Sequence, residues 1–412
     1  MNKKSMNKKI ILFSLLASLT QAVSASDSQT EIELLRQQIK LLTERLDKFE
    51  SHAKQQAEKS EAVSRELVAA SNGTSKKKPI ADRLSFKADF RQRFESIDQQ
   101  GKVTRDRNRV RLRAALSMKV DESLSFTLGT ATGGDDPVST NQTFDDAFST
   151  KDVRLDLAYF DYKFSDVFQL SGGKMKNPFY KPGKNSAFWD SDLNPEGLAF
   201  KFNNGFFNGS LVGFSIEERK AAGDSYLLGG QVMHGFKLSD NAKITAGLGY
   251  YDYSNLQGNE ALFDSKPRGN SVDANGNYAN DYNIIEAFVE YKNKIMGKPF
   301  SFYGNYFQNT AAKAFDTAYT FGFKYGKVKG AGTWDIGLAY LDIEADSVVG
   351  LFNDSDFAGG NTDSKGLSLK AGYGIRENMA LGLTYIMSKF GQSLPTQTDY
   401  DRLQFDLKLK FK

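Results

Sequence analysis

Cysteine is absent from this 412-residue sequence, and histidine occurs only twice, at His52 and His234. The missing thiols exclude disulfides and a lipoprotein anchor, and two histidines leave little for a transition-metal site, because such sites are built mainly from Cys and His ligands. The net charge of +4 is too small for a dedicated nucleic-acid binder. We therefore expect no metal site, no cofactor and no nucleic-acid partner.

Long hydrophobic runs are also scarce. Residues 1–9 are basic, residues 10–19 are apolar and residues 22–25 are small. This order is typical of a secretory signal peptide, and it predicts that residues 1–25 are cleaved off after Ala25. Further along the chain, no run approaches the ~20 apolar residues of a membrane-spanning helix. Any membrane crossing is therefore expected to be made by strands.

Residues 26–60 predict a short α-helical coiled coil. Between positions 31 and 50, apolar residues recur at alternating steps of three and four with charged flanks, which is a heptad pattern. Ile at one seam position and Leu at the other favour a coiled coil of two helices, whereas a trimeric barrel would need three. A lone amphipathic helix is a further alternative, because a coiled coil of about three heptads is only marginally stable. Residues 61–83 are polar and rich in Gly, Ser and Lys, as in a flexible linker. The predicted seam is formed by Ile32, Leu35, Ile39, Leu42, Leu46 and Phe49.

Alternation of apolar and polar residues is what the rest of the sequence has in abundance. In residues 107–120, Leu112 and Leu116 belong to an apolar series that alternates with Arg109, Arg111 and other polar residues, as in a strand with one apolar and one wet face. A soluble sandwich would bury the apolar face, whereas an outer-membrane barrel turns it to lipid and turns the arginines into its lumen. Such a barrel needs no solid core, because water fills its centre.

Segments of about ten residues recur from position 84 onward, separated by connections that are alternately short and long. Outer-membrane barrels have tight periplasmic turns and longer outer loops, and an even number of strands leaves both ends of the barrel in the periplasm. The pattern predicts an all-β fold, a transmembrane antiparallel β-barrel of about 16 strands over residues 84–412, with fourteen or eighteen strands as alternatives. The predicted strands cover residues 84–95, 107–120, 124–132, 152–164, 168–176, 197–203, 206–217, 225–238, 242–255, 282–293, 299–309, 316–328, 333–344, 365–375, 379–389 and 402–411.

Two features of this region resemble known porins. The last strand alternates apolar residues with charges and ends on Phe411, and the segment KMKNPFYKPGKNSAFWDSDLNPEG lies between the fifth and sixth strands. With its leading heptads, the chain resembles the bacterial general-diffusion porins and the porins related to the phosphate-selective O/P group. The resemblance implies an outer-membrane porin and a homotrimer, in contact with outer-membrane lipid and lipopolysaccharide. It also implies folding by the barrel-assembly machinery, which reads a terminal aromatic residue, although here Lys412 follows Phe411.

The resemblance further implies that the third long loop, residues 176–196 by count, folds inward as a constriction. Its carboxylates, Asp190, Asp192 and Glu196, are expected to face wall arginines and to set a field across the pore, while its lysines favour anions. Alternatively, the arginines are merely solvated or neutralised by neighbouring acids. The predicted pore-lining bases are Arg91, Arg93, Arg109, Arg111, Arg113, Arg154, Lys174, Lys176, Lys181 and Lys184. The acids that could neutralise the arginines are Asp89, Asp156 and Asp161.

Other candidate sites are weaker. The Asp-rich segments at residues 133–148 and 353–364 are interpreted as outer loops that are solvated or bridged by divalent ions to lipopolysaccharide. A dedicated calcium site is the alternative, because clustered carboxylates and carbonyls suit hard cations, but the spacing does not match an EF-hand. His234 is the one histidine of the barrel region, and no GxSxG motif accompanies it. We interpret His234 as a residue of the periplasmic rim, and we expect no enzymatic activity.

The sequence therefore predicts a porin for the passive diffusion of small hydrophilic solutes and ions across the outer membrane, with a weak anion preference. The predicted coiled coil would lie in the periplasm. Two alternatives remain, namely a porin selective for phosphate-like anions or acidic sugars, and a plugged barrel that tethers the envelope through its N-terminal helix.

Overall fold

The computed structural model describes residues 79–220 and 222–411, together with the isolated helical positions Lys40, Glu44, Lys48 and Ser51. The chain divides into two units, Met1–Lys78 and Pro79–Lys412. The predicted signal peptide, the six seam residues and residues 61–78 of the predicted linker lie outside the described residues.

Sixteen strands make up a single closed sheet within residues 79–411. Each strand pairs antiparallel with the next, and the first pairs with the last from Ala88 opposite Phe411 to Gln99 opposite Tyr400. Sheet closure leaves no free edge, so every strand has two hydrogen-bonded neighbours. The predicted fold and strand number are confirmed. The strands are β1 Leu84–Gln99, β2 Arg105–Lys119, β3 Leu124–Thr132, β4 Val153–Lys163, β5 Phe168–Lys174, β6 Glu196–Asn203, β7 Phe207–Glu217, β8 Ser225–Lys237, β9 Lys243–Tyr253, β10 Tyr282–Ile295, β11 Lys298–Asn309, β12 Thr317–Gly326, β13 Trp334–Ile343, β14 Ser364–Arg376, β15 Met379–Phe390 and β16 Thr398–Phe411.

Within residues 79–411 the helical segments are all short. None of the helices in the described part of the chain has the length and apolar composition of a membrane-spanning helix. A two-residue strand, Gln142–Thr143, pairs with β2 inside a loop. In the barrel unit the α-helices are α1 Ile80–Arg83 and α2 Leu262–Ser265, and the 3₁₀ helices are Asp146–Phe148, Pro182–Lys184, Gly350–Phe352 and Phe357–Gly360.

The outer face of the barrel is apolar. On β2, Leu112 and Leu116 are each 44% exposed, while the side chain of Arg111 on the opposite face is 12% exposed. Exposed Phe, Leu, Tyr and Val side chains continue on the other strands. A soluble monomer rarely exposes a contiguous apolar surface of more than a few hundred Å². The outer face is therefore suited to acyl chains, as the alternation predicted.

Connections differ between the two rims. The rim that carries Leu84 and Phe411 has short turns, the longest being the seven residues 327–333. At the other rim, which we call the long-loop rim, residues 133–152, 175–195, 254–281 and 344–363 make long loops. The remaining four connections there have only five to seven residues, as at 100–104 and 218–224, so the expected alternation holds for half of them. A hairpin needs only a few residues, and the four long loops exceed that need.

Three long loops fill part of the lumen. Buried side chains of residues 175–195, 254–281 and 344–363 pack together and against the inner faces of β7 to β13. Phe179 and Tyr251 lie with ring centroids 4.8 Å apart, and Phe188 and Phe307 lie 4.3 Å apart. The expectation that water fills the whole centre is therefore wrong. An apolar core occupies one side of the barrel because the loops carry large aromatic residues, each of which is stabilised by burial.

Candidate pore constriction

The loop predicted as the third long loop, residues 175–195, is the third connection at the long-loop rim, and it folds into the barrel through its aromatic residues. It keeps the name third long loop below. Trp189 packs against Phe179, with ring centroids 5.2 Å apart and the ring planes tilted by 42°. Lys181 Nζ donates to the carbonyls of Trp189, at 2.7 Å, and Asp190, at 3.0 Å, which closes the loop on itself. Burial lowers the pKa of Lys181 to about 8. Gly183 has φ +61°, and a Cβ there would lie 2.2 Å from the ring of Tyr303.

Asp192 connects this loop to the charged wall. Its Oδ1 accepts from Arg113 at 2.9 Å and from Arg111 at 3.3 Å, and its Oδ2 accepts from the Thr140 hydroxyl at 2.9 Å. Asp89 accepts from the same two arginines, at 2.9 and 3.0 Å. Burial alone would raise the pKa of Asp192, but Arg111 and Arg113 outweigh it and hold this pKa below its usual range. The loop carboxylate therefore stays ionised against two wall bases.

A second loop, residues 344–363, reaches the same wall from the other side. Asp356 accepts a hydrogen bond from Arg93 at 3.0 Å and forms an ion pair with Arg402 at 3.0 Å. Arg93 also forms a bidentate pair with Asp406, at 2.6 and 3.0 Å. Arg402 pairs with the fully buried Glu95 at 2.7 Å. Although burial raises the pKa of Asp356, Arg402 and Arg93 hold it well below the usual range.

The two loops are joined to each other. The Asp190 amide donates to the Phe352 carbonyl at 2.9 Å, and the Asp354 amide donates to the Ala187 carbonyl at 3.1 Å. Asp190 Oδ2 also accepts from the Ser355 amide at 3.1 Å. Burial, with Asp354 and Asp192 nearby, raises the pKa of Asp190 well above its usual range. The constriction is therefore one unit made from two loops.

Polar cavities remain on the side of the barrel that the apolar core leaves open. An outer cavity of about 600 Å³ lies at the long-loop rim, and an inner one of about 180 Å³ lies below it. Val138 and Ser355 line both, so the cavities meet beside Asp356. The described residues that line the outer cavity include six bases, against the two carboxylates Asp136 and Asp264. The six bases are Arg105, Arg107, Arg109, Lys266, Arg268 and Arg402.

The inner cavity has charges of opposite sign on opposite sides. Its wall side carries five bases from β1, β2, β14 and β16, together with Asp406, and its loop side carries four carboxylates. Charges held apart in this way produce a field across the water path. The bases are Arg91, Arg93, Arg111, Lys370 and Lys408, and the loop carboxylates are Asp190, Asp192, Asp354 and Asp356.

Some predicted positions differ in the structure. Glu196 begins β6 and pairs with Lys174 at 2.8 Å instead of facing the arginines, because the loop has already ended at residue 195. Arg109 turns to Glu95, at 3.4 Å, and lines the outer cavity. Arg154 is half exposed and pairs with Asp152 at 3.4 Å. It lies next to a register shift opposite Gly129 and Thr130, which alters the strand at this point.

The remaining predicted bases are spread around the loop. Lys176 Nζ donates to Asn194 at 3.0 Å and lies 3.8 Å from Asp156, which in turn accepts from Asn194. Lys184 is exposed and, with Lys324 and Lys370, lines a small recess of about 40 Å³. Asp161 accepts from Gln169 and Ser171 instead of an arginine.

Sequence reasoning missed the loop at residues 344–363. The sequence predicts an outer loop at residues 353–364, yet Asp356 lies at the wall and Asp354 lies against the third long loop. The signal was the apolar series Val348, Val349, Leu351 and Phe352 in the same loop, because a solvated loop would not carry it. Burial of these residues draws the adjacent carboxylates inward.

His234 lies near the short-turn end of β8. Its ring contacts those of Phe206 and Phe236, with centroids 4.0 and 4.3 Å apart, and its Nδ1 contacts the Phe206 carbonyl. This aromatic cluster on the outer face is consistent with the predicted rim position.

The chain forms a closed β-barrel with an apolar outer face, and infolded loops narrow the charged water path inside it. This is the architecture of a membrane pore. The chain belongs to the family described as "Putative porin", whose model matches residues 64–277 and 271–411. It is an outer-membrane porin. A comparison with curated protein sequences gave no match.

The chain is also similar to solved structures. The high-pH structure of Pseudomonas putida OprB is 12% identical, with a TM-score of 0.55 over 81% of this chain and 95% of that one. Salmonella typhi OmpF in complex with daunomycin is 11% identical, with a TM-score of 0.49 over 80% of this chain and 97% of that one. At these identities the OprB match supports the barrel fold alone.

Proposed function

We propose that this porin lets small hydrophilic solutes and ions diffuse passively across the outer membrane and that it weakly prefers anions. The observation that supports this proposal is the outer cavity, in which six bases stand against two carboxylates. Excess positive charge in a confined polar path raises the local concentration of anions. We also propose that the protein acts only as a channel and catalyses no covalent reaction.

The constriction would act as a filter for size and polarity. The water path leads from the outer cavity of about 600 Å³ into the inner cavity of about 180 Å³. In the inner cavity a solute must pass between wall bases such as Arg111 and loop carboxylates such as Asp192. Polar solutes can align in the field, whereas apolar solutes must displace ordered water. The proposed pore-lining roles belong to the predicted bases that line the two cavities, Arg91, Arg93, Arg109 and Arg111.

Reversal potentials in a KCl gradient across a planar bilayer test the proposal. The wild-type protein should be anion-preferring, and Arg105→Gln should lower the anion-to-cation permeability ratio, because Arg105 lines the outer cavity. The effect should shrink between about 0.1 M and 1 M salt, as the Debye length falls from about 10 to 3 Å.

Arg154→Gln is the matched control, because Arg154 is half exposed and already paired with Asp152. Its permeability ratio should equal that of the wild type. Cation preference of the wild-type channel would contradict the anion assignment, and a protein that carries no current would favour the plugged, tethering barrel instead.

The selective anion porin remains the second candidate. The observation that favours it is the solid core beside the path, since a narrow route offers more contacts to each solute than an open one. Conductance that saturates with the concentration of a phosphate-like anion or an acidic sugar would support it.

The arrangement in the envelope is also a proposal. We place the short-turn rim and the chain termini in the periplasm, because tight turns face that side in outer-membrane barrels. The predicted N-terminal coiled coil would then lie in the periplasm and could support a homotrimer. Lipopolysaccharide at the long-loop rim and the barrel-assembly machinery are the other expected partners.

A further inference from the structure

Arg91, in the middle of β1, is a buried base without an acidic partner in the described part of the chain. It is 9% exposed and lines the inner cavity of about 180 Å³. Its Nη2 donates to the neutral side-chain oxygen of Asn141 at 2.5 Å. Its Nε is buried with no hydrogen-bond partner among the described residues. A buried guanidinium is normally paired with a carboxylate, and an unpaired one is costly.

The neighbours of Arg91 increase this cost. Across the sheet it stands directly opposite Arg111 on β2 and Lys408 on β16. Like charges directly opposite each other destabilise a strand pair. Arg111 is neutralised by Asp89 and Asp192, and Lys408 lies 3.3 Å from Asp406, whereas Arg91 has no such partner within the described residues. An anion in the cavity would remove the repulsion.

The carboxylates that line the cavity are already engaged. Asp192 accepts from Arg111, Arg113 and Thr140, and Asp406 accepts from Arg93. Asp356 is shared by Arg93 and Arg402. Asp354 accepts from Ser186 at 3.2 Å, and Asp190 accepts from two backbone amides. Lys370 lines the same cavity and, like Arg91, forms no ion pair with a carboxylate among the described residues.

We propose that Arg91, helped by Lys370, forms a binding site for a small oxyanion such as phosphate or sulfate in the inner cavity. A guanidinium recognises oxyanions through parallel N–H donors, which a spherical anion such as chloride cannot match. At about 30 Å³ per water molecule, the cavity holds about six waters, which is room for one such anion with part of its hydration shell. This inference deepens the proposed function and depends on an open pore.

The test is a titration of the full-length channel in a planar bilayer that carries KCl current. Added phosphate, and sulfate in a separate arm, should reduce the current of the wild type in a saturable manner. Arg91→Gln should raise the half-inhibiting concentration about tenfold or more, the loss expected for a charge-assisted hydrogen bond. Arg91→Lys should restore part of the effect, because it keeps the charge but not the planar donors. Arg154→Gln is the matched control and should match the wild type.

A second variant keeps the test decisive if Arg91→Gln does not assemble. Asn141→Asp lies in a loop and places a carboxylate on Arg91, so it should weaken inhibition in the same direction. Inhibition that is equal within about twofold in the wild type, Arg91→Gln and Asn141→Asp would overturn the inference. If the wild type carries anion-preferring KCl current but phosphate and sulfate have no effect, only the oxyanion site fails. If the wild type carries no current in KCl, the proposed function itself fails.

Discussion

Asp356 offers the sharpest test of the two-loop constriction. Its carboxylate joins residues 344–363 to the wall through Arg93 and Arg402, and its side chain is 23% exposed. Hydrogen bonds to charged groups contribute about 1.5–3 kcal/mol each. In Asp356→Asn one acceptor oxygen remains, and each arginine keeps a second carboxylate, Asp406 or Glu95. The expected loss is therefore about 2–4 kcal/mol in the free energy of opening this loop.

Backbone hydrogen exchange measures that loss directly. The amides of Phe352, Asp354 and Ser355 are hydrogen-bonded within the two loops. If the loop opens locally, their exchange in Asp356→Asn should be about 30-fold faster or more, since each 1.4 kcal/mol corresponds to a factor of ten. The anion-to-cation permeability ratio should also rise, because a negative charge leaves the junction of the two cavities.

Asp399→Asn is the matched control for this experiment. Asp399 pairs with Lys389 at 2.9 Å, but both side chains are more than half exposed, so the pair contributes at most about 1 kcal/mol. Exchange at residues 352–355 should be unchanged in this variant. Equal exchange rates and equal permeability ratios in Asp356→Asn and the wild type would refute the role of Asp356 as the tie between loop and wall.

Two further predictions concern the third long loop. The folded state raises the pKa of Asp190 and so favours its protonated form, which means that the stabilising contribution of this group is present at low pH and is lost as pH rises from the ordinary Asp range through the raised value. Asp190→Asn should remove that pH dependence from the exchange rate of the Asp354 amide. An unchanged pH dependence would contradict the assignment. Gly183→Ala should weaken the docking of the loop by about 1–3 kcal/mol, because φ +61° and the ring of Tyr303 both oppose a Cβ. Fluorescence of Trp189 during denaturation measures this loss. Gly205→Ala is the control that isolates the backbone strain, because φ is +84° there and nothing lies within 4 Å of the added Cβ.

The strands and their two faces could be predicted because their pattern is local. The alternation in β2 assigns Leu112 to one face and Arg111 to the other whatever the neighbouring strand is. The pairing of Asp192 with Arg111 and Arg113 followed from counting loops and from the porin resemblance. Glu196 could not be placed in the same way, because a shift of one residue moved it from the loop into β6, next to Lys174.

The sequence by itself determined the barrel and its apolar exterior, because a period of two residues and the order of turns are properties of adjacent residues. The resemblance to porins added the position of the third long loop as a constriction. Only the tertiary structure decided that a second loop carries Asp356 to Arg93 and Arg402, and that Arg91 has no carboxylate partner in the described residues. Those contacts join residues that are tens to hundreds of positions apart. They depend on how the closing sheet and the infolded aromatic side chains divide the lumen, which no local pattern records.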